Sequence, residues 1–175
     1  FCHCENCRRA RELGGRNLRS RSQALIDNKI LIDWPADAYM HMRDNAIDYA
    51  SISTLLITHI HDDHFCPAEF SMRRPGFARI DDCRPLDIYG SEDILPDIEK
   101  YSAEVPENSP NLIRVHIVAP RETFEADGYQ ITPLEAVHGT QHPYVYVIEH
   151  SQKAMLYAHD TDIFDEDIWD FIKNK

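Results

Sequence analysis

Long apolar runs are absent. No stretch approaches membrane-spanning length and no signal-peptide pattern opens the chain, so a bilayer-spanning role is not expected. Basic charge is scarce: 18 Lys and Arg stand against 30 Asp and Glu, for a formal net charge of -12. That balance argues against general nucleic-acid binding, while leaving room for a local basic patch. Linkers, repeats and low-complexity tracts are also missing. The 175 residues therefore read as a single domain, 1–175, enough for one real core and short of two comfortable ones. Cysteines number five, an odd count, and lack the dense, spread-out pairs of a secreted disulfide scaffold.

The cysteines that are present crowd together, as Cys2, Cys4 and Cys7 in Phe1-Cys2-His3-Cys4-Glu5-Asn6-Cys7. Cys-x-Cys-x-x-Cys fits thiolate metal ligation in a reducing cytosol better than a disulfide, so a cytoplasmic location is expected. Cys66 and Cys83 read as small, partly buried residues. The chain opens on Phe1 rather than Met and closes on Asn174-Lys175 without a further strand; it is expected to lack both ends of a longer protein.

Residues 22–33 read as a hairpin, with Ala24-Leu25-Ile26 and Ile30-Leu31-Ile32 flanking the turn Asp27-Asn28-Lys29. Residues 35–50 suggest a loop and helix, and 53–58 a short buried strand. Strands are expected over 86–89, 112–118, 129–137, 144–149 and 153–158. Helices are expected over 91–101, with Ser91 as N-cap, and over 165–172. Connections that are mostly hairpins favour a layered α+β or αββα architecture over a doubly wound parallel sheet.

The strand at 53–58 delivers His59-Ile60-His61-Asp62-Asp63-His64 in a loop. Imidazole and carboxylate are natural ligands for zinc, manganese or iron, and this spacing can serve two adjacent ions. A solvated polar loop or a chance cluster is the plain alternative. Further ligands must come from elsewhere. His138 follows the strand at 129–137, with Gly139 beside it permitting an unusual backbone, and Asp160 follows the strand at 153–158. Strand ends let a rigid sheet aim side chains into a shared site.

These residues carry a resemblance. His59, His61, Asp63 and His64 match the His-x-His-x-Asp-His signature of the metallo-β-lactamase superfamily without substitution. The resemblance implies an α+β, αββα sandwich, here expected to lack its first strand and C-terminal portion. It implies one metal on His59, His61 and His138, a second on Asp63 and His64, and Asp160 bridging both. Asp33, ending an early strand, would orient a ligand or loop; otherwise it is a turn or cap residue. The cysteine cluster with Ser22-Gln23-Ala24-Leu25-Ile26 is similar to cyclic phosphodiesterases of the carbon–phosphorus lyase pathway, which implies a structural zinc on Cys2, Cys4 and Cys7.

The expected cofactors are thus two divalent ions and a further structural zinc. The expected activity is a metal-dependent phosphodiesterase on small phosphate esters, with a homodimer allowed. Alternatives are an RNA-processing nuclease, a thioesterase or lactonase, or an inactive metal-binding module. The last histidine of the second metal and the general acid are expected beyond residue 175. His142 reads as a loop residue near the site, and His159 should point away from it if the backbone there is extended. His41 and His116 carry no supporting context. Arg8, Arg9, Arg11, Arg16, Arg19 and Arg21 form a basic island, either a solvated surface or an attractor of phosphate. Trp34 reads as core, with the pocket wall as the alternative.

Overall fold

The computed structural model describes residues 2–80, 84–106, 109–110 and 112–175. Phe1 and Cys83, and with the latter its expected burial, lie outside them. Strands β1 (Ala24–Ile26) and β2 (Ile30–Ile32) pair antiparallel. Asp27 and Asn28 turn the hairpin at φ 49° and 55°, a left-handed region that Asp and Asn tolerate better than most side chains. Strands β3 (Thr54–Leu56), β4 (Leu86–Gly90) and β5 (Ile113–Ile117) then add in parallel, giving the sheet order β1-β2-β3-β4-β5. A second sheet is an antiparallel meander of β6 (Phe124–Ala126), β7 (Tyr129–Glu135), β8 (Tyr144–His150) and β9 (Lys153–Tyr157). Helices are α1 (Glu5–Leu13), α2 (Ala38–Asn45), α3 (Leu95–Ser102) and α4 (Glu166–Lys173).

Strand periodicity builds the layers. On β2, Leu31 packs toward a core containing Ala38 of α2 and Ile98 of α3, while Ile30 and Ile32 face the second sheet. Leu55 and Leu56 divide in the same way on β3. On β8, Tyr144, Tyr146 and Ile148 face the first sheet, and Val145 and Val147 pack with Phe164 and Ile168 of the C-terminal segment. The result is helix, sheet, sheet, helix, an αββα sandwich in which both faces of the central strands are dry. That double burial explains why β2 and β3 are continuously apolar and why they sit in a parallel arrangement.

Several local expectations are corrected. Hairpin connections hold in the second sheet, but the first is parallel from β2 to β5. The helix expected from Ser91 opens as a 3-10 turn, Glu92–Ile94, and becomes α-helical only at Leu95; the Ser91 side chain makes no capping hydrogen bond. Helix α1 and strand β6 have no counterpart among the expected elements.

The site end is fixed by strand direction. The parallel strands β2 and β3 end on one side, and β7 and β9, both antiparallel to β8, end together. Two bonds tie the sheets there: the Tyr146 hydroxyl donates to the Ile57 carbonyl at 2.7 Å, and the Tyr144 amide to that of Thr58 at 2.8 Å.

Candidate metal centre

The loop after β3 is stitched down on both sides. His64 and Phe65 amides both donate to the His61 carbonyl at 2.8 Å, closing the histidine run into a turn. The Trp34 amide donates to the His64 carbonyl and the Cys66 amide to the Trp34 carbonyl, each at 2.7 Å, so the loop is bound to the segment leaving β2.

Within this frame two donor sets form. Ligand atoms of His59, His61 and His138 lie within 4.8 Å of one another, and so do those of His59, His64 and Asp160. His138 Nε2 is 3.1 Å from His61 Nδ1, and His64 Nε2 is 3.1 Å from Asp160 Oδ2. Asp63 joins neither set: its exposed carboxylate lies 3.9 Å from His64 Nε2, on the rim. His59, at the join, belongs to both.

The histidines are oriented by buried polar groups. Asp33 is fully buried at φ 65°, and its Oδ2 accepts from His64 Nδ1 at 2.7 Å. The Thr58 amide donates to Asp33 Oδ1 at 2.8 Å, and the Thr58 hydroxyl reaches both carboxylate oxygens at 2.9 and 3.0 Å. With its proton given to Asp33, Thr58 Oγ1 is left to accept from His59 Nδ1, 3.0 Å away. Both imidazoles are thereby held as Nδ1–H tautomers, with Nε2 lone pairs facing the cluster. Among the described residues His59 Nε2 is buried without a hydrogen-bond partner. A buried imidazole lone pair with nothing to accept is what a metal ion would satisfy, so the donors fit a divalent ion.

Charge agrees with this. Burial pushes His59 down to about 4, helped by the neighbouring His64, His138 and His61, so it is neutral and ready to ligate near pH 7. Burial also pulls His64 down, but the hydrogen bond and charge of Asp33, with Asp160 and Asp63, outweigh it and raise it. Burial raises the Asp160 carboxyl, yet the surrounding histidines, His64 first, hold it below its ordinary value. Burial raises Asp33 despite its bonds to His64 and Thr58.

His159 departs from expectation. Asp160 sits at φ 56°, left-handed rather than extended, so alternation fails and His159 Nδ1 lies 2.9 Å from Asp160 Oδ1. Its ring stands 5.2 Å from that of His64. His142 stands outside both donor sets and instead meets Asp93, through its amide at 2.9 Å and Nδ1 at 3.0 Å. Asp93 gave no signal in the sequence beyond belonging to an acidic helix start. Gly139 has no positive φ, contrary to the role expected of it. Trp34 packs in the core against Tyr49 and Phe70. His41 bonds Gln23 and Ser20, and His116 bonds Asp87, both away from the cluster.

The sulfurs of Cys2, Cys4 and Cys7 converge within 4.8 Å at the start of α1. Hydrogen bonds from the Cys7 amide and from the Cys2 and Cys7 side chains bring Cys4 down to about 7, while Cys7 is raised as the donor to Cys4. Two members of the basic island are committed to acids, Arg8 to Glu12 and Arg21 to Asp37, each at 2.6 Å.

A family model described as the beta-lactamase superfamily domain matches residues 28–174. The chain belongs to the metallo-β-lactamase superfamily of hydrolases. Within it, the chain is 31% identical over 133 residues to ribonuclease Z of Picosynechococcus, covering 74% of this chain and 39% of that protein. It is 33% identical over 106 residues to ribonuclease Z of Halorubrum lacusprofundi, covering 58% and 32%. The chain thus spans well under half the length of these relatives. Among solved structures, zinc-bound PqqB from Methylobacterium extorquens superposes with TM-score 0.72 at 19% identity, over 98% of this chain and 63% of that one. A diphosphatase of the PhnP family gives TM-score 0.63 at 23% identity, over 84% and 55%. These two likenesses establish the fold.

Proposed function

We propose that this protein is a metal-dependent phosphodiesterase acting on small cyclic phosphate or nucleotide-like esters. The observation that carries the reading is the pair of donor sets joined at His59, His59–His61–His138 and His59–His64–Asp160. Divalent ions held there would lower the pKa of water and withdraw charge from phosphate oxygens. The chain's own residues supply the preorganisation. Asp33 and Thr58 fix two imidazole tautomers, so no reorientation is needed when an anionic ester arrives. Asp160 stays ionised beside His64. The exposed His61 and Asp63 leave the approach open on one side.

Phosphodiester chemistry is supported by the ribonuclease relatives and by the converging cysteine cluster, which on this reading holds a structural zinc. The convergence of Cys2, Cys4 and Cys7 suits thiolate metal ligation, which favours a reducing, cytoplasmic setting. The second reading, an RNA-processing nuclease, is favoured by the same relatives and opposed by the net charge of -12.

The test is turnover by protein loaded with zinc or manganese against cyclic phosphates, linear diesters, precursor transfer RNA, thioesters and lactones. Cyclic phosphate hydrolysis that stops on chelation and returns with metal is the expected result. Preference for RNA supports the nuclease, lactone or thioester turnover alone overturns the phosphodiesterase, and no metal-dependent turnover at all leaves a binding module.

A further inference from the structure

The loop between β7 and β8 carries His138 and is held from several sides. Its base is closed by the Ala136 amide donating to the Pro143 carbonyl at 2.9 Å. On one flank the Val137 amide donates to Thr161 Oγ1 at 3.0 Å and the Asp162 amide to the Val137 carbonyl at 2.8 Å, which joins the loop to the segment bearing Asp160. On the other flank the tether is Asp93. Its side chain is only 9% exposed; Oδ2 accepts from the His142 amide at 2.9 Å and Oδ1 from His142 Nδ1 at 3.0 Å.

Asp93 is itself rigidly placed. It lies in the 3-10 turn after Gly90, where an added Cβ would stand 3.1 Å from Ile94 and 3.4 Å from Ile57. Glycine at this position lets the turn press onto Ile57, just past the end of β3 and two residues before His59. Ile60, His61, Asp93, Pro96, Gly139, Thr140 and Gln141 line the groove of about 580 Å³ that the tethered loop walls off.

We propose that Asp93 is a positioning residue for the metal centre: gripping His142 by two bonds, it holds the loop that presents His138 to His59 and His61. The inference rests on the metal-centre reading above. Groups bonded directly to a ligand change metal affinity by about 10–100-fold when lost; Asp93 acts one link further out, through His142 and the loop, so the low end of that range is expected. A largely covered carboxylate accepting both a backbone and an imidazole N–H from one residue holds that residue at two points.

The test is a Co²⁺ titration of the metal-free full chain, followed by visible absorbance and calorimetry. The binding phase abolished by His138→Ala identifies the position that His138 serves. Asp93→Ala is expected to weaken that phase by about 10-fold and to leave the other phase in place. Asp93→Asn keeps an acceptor for the backbone amide and should restore part of the affinity; His142→Ala should give a partial loss. These two variants decide the matter if Asp93→Ala does not fold. Equal weakening of both phases, or no change in the His138-dependent one, overturns the proposal. Failure of the wild-type chain to show any His138-dependent phase would instead overturn the metal centre itself, and this inference with it.

Discussion

The Asp33 carboxylate lies 2.7 Å from Nδ1 of His64, with both side chains buried to within 1%. No solvent reaches this pair, so its geometry is set by the protein alone. Asp33→Ala would leave His64 Nδ1 with only the long 3.4 Å contact to Thr58 Oγ1, at about 1–3 kcal/mol of stability. It would also free the ring to rotate, with about a 10–100-fold loss of metal affinity at the position His64 serves. Denaturant unfolding of metal-free protein and metal titration measure the two effects separately. Unchanged affinity in Asp33→Ala would show that Asp33 is only a structural residue.

Thr58 links the two histidines that point inward. Thr58→Val keeps the shape and removes the hydroxyl that meets Asp33 and His59 Nδ1. About a tenfold loss of metal affinity is expected, with rescue by Thr58→Ser. If valine and serine behave alike, the hydroxyl does not set the His59 tautomer.

The cysteine cluster should report on zinc through its reactivity. Cys4, brought down to about 7, is largely thiolate at slightly alkaline pH and open to alkylation. Zinc should slow iodoacetamide labelling of Cys4, and Cys4→Ser should lower zinc content by one ion per chain without abolishing turnover. Native mass spectrometry and peptide mapping read both. Labelling that ignores zinc would count against a structural site there.

His142 gives a pH signature. Its pKa is raised above 6.5 by the hydrogen bond to Asp93, against the opposing effect of desolvation, with the charges of Asp93 and Glu92 assisting. A raised histidine contributes stability that is fully present below its unfolded value and is lost as pH rises through the folded one. The stability difference between wild type and His142→Asn should therefore be largest below about pH 6.5 and shrink as the pH rises beyond it. The side chain is 47% exposed, so the amplitude should be small. A difference that grows with pH would contradict the assignment.

Much of the architecture was legible because burial writes a period into sequence. The β1–β2 hairpin showed as two apolar triplets around Asp27-Asn28-Lys29, and the continuous apolar run at β3 announced a strand covered on both faces. Helix α1 was invisible for the opposite reason. It buries no residue, so ENCRRAREL carries no apolar stripe to read. The three residues of β6 are too few to show alternation. At the site, the residue types of the His59–His64 run were enough to suggest metal, but geometry was not. An extended backbone would turn His159 away, but with Asp160 in the left-handed region His159 lies beside the Asp160 carboxylate instead. Asp93 depends on a contact 49 residues away in sequence, which no local pattern encodes.

One imidazole nitrogen is shared by both donor sets. His59 Nδ1 is engaged with Thr58, so only Nε2 is free, and one lone pair cannot be given twice. Whichever ion takes His59 leaves the other with fewer protein donors. For the chain of residues 1–175, filling should then be ordered: a first equivalent bound firmly, a second only when metal is plentiful. Near one ion per chain the population would be mostly half-filled molecules, not a mixture of full and empty ones. The concentration of free metal, more than the number of protein molecules, would then set how many complete centres exist.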